Sequence, residues 1–116
     1  MSKIERRDSN ARMSKSVSHG DMVFLAGQVG DAKSAGVEAQ TREVLAKIDA
    51  ALLEAGTDKS KLLSALIHLK SMSDFAAMNG VWESWVSPGN TPARTTVQSP
   101  LAHPDLVVEI TVVAAR

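Results

Sequence analysis

The sequence of 116 residues predicts one α+β domain, a single sheet with two helices covering one face. Three observations carry this reading. Apolar residues recur at three-and-four spacing in two stretches, short strand-like runs bounded by Gly, Asn, Asp and Pro occupy the others, and the order is strand, strand, helix, strand, helix, strand, strand. A chain of this length supports one hydrophobic core, so residues 1–116 are read as one domain.

The first strands are 16–19 and 22–26, joined at Gly20-Asp21 as a tight hairpin. Gly27 and Gly30 bracket Gln28-Val29, and the small polar residues of 31–36 form a connection that ends a strand and opens a helix. From Val37 the apolar positions Thr41, Val44, Ile48, Ala51, Leu52 and Ala55 follow one helical face, and Gly56 stands where a left-handed cap stops it. Residues 61–70 fit either period; their shortness and flanking turn residues decide for a strand. Ser73-Asp74 opens a second helix, with Phe75, Met78, Val81, Trp82 and Trp85 as its stripe and Ser87-Pro88-Gly89-Asn90 as its stop. Gly80 inside this helix predicts close packing against a neighbour. Pro88, Pro92, Pro100 and Pro104 then punctuate two last strands, 94–98 and 106–115. The final strand holds Val108, Ile110, Val112 and Ala114 on one face and Val107, Glu109, Thr111 and Val113 on the other, so neither face is plainly solvated, which predicts that the second meets another subunit. Whether Ile4 to Arg7 adds a further strand is left open by the pattern.

Composition narrows the function classes. Thirteen basic and thirteen acidic side chains balance, so the field that carries phosphate-backbone binding is lacking, and two Trp and two Phe offer little stacking surface. Nucleic acid is not an expected partner. The absence of cysteine removes disulfides, thiolate catalysis and sulfur-ligated zinc. His19, His68 and His103 lie on different segments without acidic partners at ligand spacing, so no metal site is expected and each reads as a surface or edge-strand residue. The polar first twelve residues resemble neither a secretory signal nor a spanning helix, which predicts a cytoplasmic protein without membrane contact.

The residues left with chemistry are Thr91-Pro92-Ala93-Arg94-Thr95-Thr96-Val97 and Val107-Val108-Glu109-Ile110. Arg94 and Thr96, two apart on a strand, share a face and offer a fork of donors beside a hydroxyl, a seat for a small carboxylate. Glu109 among strand-forming aliphatics is a charge that needs a partner or a task. Pairing of Arg94 with Glu109, across the sheet or across an interface, satisfies the same spacing.

These two segments resemble the carboxy-terminal signature of the RidA/YjgF family. Gly20-Asp21-Met22-Val23-Phe24-Leu25-Ala26-Gly27-Gln28-Val29 is similar to that family's early strand, Gln40-Thr41-Arg42 and Leu52-Leu53-Glu54-Ala55-Gly56 to its first helix, and Phe75-Ala76-Ala77-Met78-Asn79 to the start of its second. The resemblance implies a chorismate-mutase-like fold, a homotrimer with a central β-barrel, and clefts between adjacent subunits. It implies hydrolysis of reactive 2-imino and enamine acids, such as 2-aminoacrylate and 2-iminopropanoate, to 2-keto acids and ammonia without cofactor or metal. Arg94 then binds the carboxylate, Glu109 polarises the attacking water, and Gly27, Asn79 and Thr96 contact substrate. Three positions depart from the family pattern: Met13 replaces a phenol, Ala26 a serine and Thr96 a cysteine, which points to a larger or more apolar substrate. Two rival readings are a trimer that binds 2-keto acids without reaction, and the RNA cleavage or translation inhibition attached to the family, which the neutral charge and sparse aromatics disfavour.

Overall fold

The computed structural model describes residues 3–31 and 35–116. Its strands are β1 (Ile4–Arg7), β2 (Ser16–His19), β3 (Met22–Leu25), β4 (Gln28–Val29), β5 (Leu62–Leu69), β6 (Ala93–Gln98) and β7 (Val108–Ala115), and its helices are α1 (Val37–Glu54) and α2 (Phe75–Trp85). They form one sheet in the order β1-β2-β3-β7-β5-β6, with β4 also on β7. Neighbours are antiparallel except β5 and β6, which run parallel and are joined through α2. The expected elements are present. The segment from Ile4 does form a strand, and the two-residue β4 is additional. Part of the connection read over 31–36 lies outside the described residues.

Side-chain alternation assigns each sheet face. Val23, Leu25, Ala65, Ile67, Leu69, Val108, Ile110, Val112 and Ala114 point toward the helices and are buried against Val44, Leu45, Ile48, Leu52, Met78 and Trp82. Each fully buried aliphatic contributes about 1.5–3 kcal/mol relative to exposure, so this layer holds the fold. The opposite face carries Met22, Phe24, Leu66 and Val97, all more than a third exposed. No described helix is long and apolar enough to cross a membrane.

Local chemistry matches the turns. Gly20 takes φ +60° at the β2–β3 corner, and Gly56 takes φ +84° past α1, with Thr57 N–H donating to the Leu52 carbonyl. Gln40 is wholly buried; its amide nitrogen donates to the Ala35 and Asp105 carbonyls, and its oxygen accepts from Val107 N–H. That side chain therefore ties α1 to the entry of β7. Lys47 links α1 to the other flank of β7, donating to the Val29 carbonyl and to Asp31 Oδ1. At the far end Arg116 donates to the Gly20 carbonyl and pairs with Glu5, whose carboxyl it holds below the ordinary value.

The close packing expected at Gly80 is not found. A Cβ built there meets nothing within 4 Å, and the residue is exposed. Gly80→Ala is therefore expected to raise stability by about 0.5–1 kcal/mol, read as a higher urea midpoint, because only helix propensity changes. Gln40→Leu is expected to lower stability by about 2–3 kcal/mol by stranding the Val107 amide and two carbonyls. A loss under about 0.5 kcal/mol in the same titration contradicts this role for Gln40.

Candidate functional site

Arg94 stands on β6, opposite Ala65 of β5, and so projects on the helix side of the sheet. There α2 receives it. The guanidinium carbon lies 5.5 Å from the Trp82 ring centroid and 5.9 Å from that of Phe75. Both rings lie at cation–π distance from the guanidinium. Among the described residues no carboxylate pairs with Arg94. Asn79 follows Phe75 by one helical turn and precedes Trp82 by another, so the same stripe of α2 presents Phe75, Asn79 and Trp82. Thr96 shares Arg94's face of β6. Asn79 Oδ1 and Thr96 Oγ1 are both enclosed without a hydrogen-bond partner. A buried polar atom left unpaired costs about 1–3 kcal/mol.

Glu109 belongs to the other face. In β7 it alternates with the buried Val108 and Ile110, and it faces away from the helices beside Thr111. Its carboxylate lies over Gly27. A Cβ at Gly27 would stand 2.6 Å from Glu109 Oε2 and 3.0 Å from Thr111 Oγ1. A side chain at Gly27 therefore displaces the Glu109 carboxylate from this placement. Glu109 has no ion-pair partner among the described residues.

The five residues therefore fall into two groups: Arg94, Asn79 and Thr96 lie at α2 and β6 on the helix side, and Gly27 and Glu109 lie on the reverse of the sheet. Pairing of Arg94 with Glu109 across the sheet within one chain is excluded, because alternation places them on opposite faces. A cavity of about 430 Å³ beside β5, β6 and β7 is lined by Leu66, Arg94, Thr95, Thr111 and Val113.

His68 is the residue that spacing missed. It is partly buried and not on an edge strand: β5 lies between β6 and β7, and His68 stands directly across from Glu109 on the same outward face. Its Nδ1 is the third enclosed, unpartnered side-chain atom besides those of Asn79 and Thr96. Sheet register alone brings it there, and no interval in the sequence announces a β5–β7 register. Of the positions that depart from the family pattern, Met13 is half exposed in the loop before β2, and Ala26 adjoins Gly27 with its N–H bonded to the Lys15 carbonyl. No group of three His, Asp or Glu able to hold a metal occurs among the described residues.

Comparison with known proteins places this geometry. The sequence profile of the endoribonuclease L-PSP family matches residues 3–116. A RutC family protein of Escherichia coli K12, YoaB, is 44% identical over 112 residues, covering 97% of each chain. A RutC family protein of Haemophilus ducreyi is 38% identical, covering 97% of this chain and 96% of its own. A crystal structure of a YjgF-family protein from Neisseria meningitidis superposes with TM-score 0.95 at 41% identity, covering 98% of this chain and 95% of that one. A Mycobacterium tuberculosis member of the YjgF/YER057c/UK114 family superposes with TM-score 0.87 at 25% identity over the full length of both. With the profile and these relatives spanning nearly the whole chain, the protein belongs to the RidA/YjgF family, the group also named RutC and endoribonuclease L-PSP.

Proposed function

We infer that this protein hydrolyses small 2-imino and enamine acids to 2-keto acids and ammonia, in clefts where the α2–β6 face of one copy meets the outer sheet face of another. The observation that carries this reading is the Arg94 guanidinium, held by two aromatic rings yet without a carboxylate partner, beside two enclosed polar atoms that no protein group pairs with. A 2-imino acid fits that guanidinium, because its carboxylate accepts two parallel N–H bonds from Arg94. The exposed apolar outer face, with Phe24, Leu66 and Val97, supports burial against further copies, and the homotrimer is the arrangement the family resemblance implies.

In the proposed reaction, water held by the Glu109 carboxylate attacks the imine carbon. The water oxygen bonds to carbon, the C=N electron pair passes to nitrogen, and Glu109 takes the water's proton and returns it to that nitrogen. As the C–N bond then breaks, its electron pair leaves with the nitrogen as ammonia, the new hydroxyl gives its proton to Glu109, and the keto group forms. A protonated imine is already electrophilic, so positioning by Arg94 and one general base complete the balance. Neither step calls on a cofactor.

A non-reacting trimer that binds 2-keto acids shares Arg94 but has no use for Glu109. The RNA-cleaving name attached to the family profile finds little support here, since the chain is neutral and His19, His68 and His103 stand on three separate segments.

The test generates 2-imino acids in situ from a panel of amino acids with an amino-acid oxidase and traps them with semicarbazide. The protein is expected to suppress the trapped product for some side chains, and no suppression across the panel contradicts the enzyme. Arg94→Ala is expected to abolish turnover with the assembly intact, whereas Glu109→Gln removes at least about 100-fold of kcat yet retains 2-keto acid binding by calorimetry. In Gly27→Ala the flexible carboxylate yields instead of the backbone. Its stability is expected to stay within about 1 kcal/mol of wild type while activity falls at least about tenfold. Full activity in that variant contradicts the fixed placement of Glu109.

A further inference from the structure

We propose that His68 is a positioning residue for Glu109, donating a hydrogen bond from Nε2 to the Glu109 carboxylate, directly or through one water molecule. The inference rests on the hydrolytic reading of Glu109. The register of β5 against β7 places His68 and Glu109 directly opposite one another on the outward face, a cross-strand arrangement that puts their Cβ atoms about 4.5–5.5 Å apart. On its other side β7 meets β4, and Glu109 Oε2 leans toward Gly27 on that flank. His68 thus closes the flank that Gly27 leaves open.

The ring's own environment decides which nitrogen acts. Nδ1 is enclosed and meets no donor or acceptor of the chain. A buried N–H without an acceptor is the rarer and costlier orphan, while an unpaired lone pair is better tolerated. In its neutral form the ring is therefore expected to keep its proton on Nε2. The side chains of His68 and Glu109 face the same side of the sheet, and the neighbouring positions of that face, Leu66, Thr111 and Val97, carry no competing charge. A carboxylate packed over Gly27 on one side and bonded to an N–H on the other holds its attacking water in one orientation, which is the part of general-base catalysis that geometry controls.

The test compares His68→Leu, which removes the donor, with His68→Gln, which restores an N–H near the Nε2 position. His68→Leu is expected to lower kcat for imine hydrolysis about tenfold with KM changed less than about twofold, and His68→Gln to recover to within about threefold of wild type. Unchanged kcat in His68→Leu, or equal losses in both variants, overturns the proposal. An independent readout is the tautomer of the His68 ring, observed by long-range proton–nitrogen NMR on the labelled, assembled wild-type protein. The proton is expected on Nε2, with an Nε2–H signal that moves in Glu109→Gln; a proton on Nδ1, or a signal indifferent to that substitution, overturns it. If the wild-type protein hydrolyses none of the imines, the enzymatic reading falls by itself, and the NMR comparison still decides whether His68 and Glu109 are linked.

Discussion

A strand that buries one face in its own core can offer chemistry only on the other, and β7 is under that constraint along its whole length. Val108, Ile110, Val112 and Ala114 are almost wholly buried against the helices, so Glu109, Thr111 and Val113 must face away from them. Arg94 obeys the same rule with the opposite outcome. Its strand lies at the sheet edge, beyond the densest part of the core, where its inward side chain can rest between Phe75 and Trp82 rather than displace an aliphatic. Period-two geometry therefore separates the cation from the carboxylate, and it forbids their joining through any local rearrangement, because a one-residue slip would turn the core outward.

Separation has chemical value as well as cost. Within one chain a guanidinium and a carboxylate left side by side would neutralise one another and leave little for a substrate. Kept on opposite faces, each retains its capacity: Arg94 has its N–H edge to offer, and Glu109 keeps an oxygen over Gly27. The three enclosed, unpartnered side-chain atoms among the described residues are those of Asn79 and Thr96, on the Arg94 side of the sheet, and of His68, across from Glu109.

Much of the fold was legible because its signals are local. Gly56 after the apolar face of α1, Gly20-Asp21 in the hairpin, and the prolines around β6 each fix their own neighbourhood, and the structure keeps them. Arg94 and Thr96 were readable as a shared face for the same reason. What escaped the sequence depends on register. The β5–β7 pairing that sets His68 across from Glu109, and the opposite facing of Arg94 and Glu109, arise from contacts between segments far apart in the chain. Gly80 misled for another reason: a helical glycine can mark close packing, but here nothing stands where its Cβ would be. Thr96 keeps a hydroxyl where the family pattern has a thiol, and that hydroxyl is enclosed rather than at the surface.

The central claim is that Arg94 and Glu109 serve one site only when they come from different copies of the chain. The most direct measurement mixes two inactive proteins, Arg94→Ala and Glu109→Gln, unfolds and reassembles them together, and assays imine hydrolysis. For the trimer that the family resemblance implies, three quarters of the assemblies in a random one-to-one mixture are mixed and each holds one cleft with both intact residues, so about one quarter of wild-type activity is expected to return. Activity no greater than that of the separate variants, in mixed assemblies shown to form, would contradict the account.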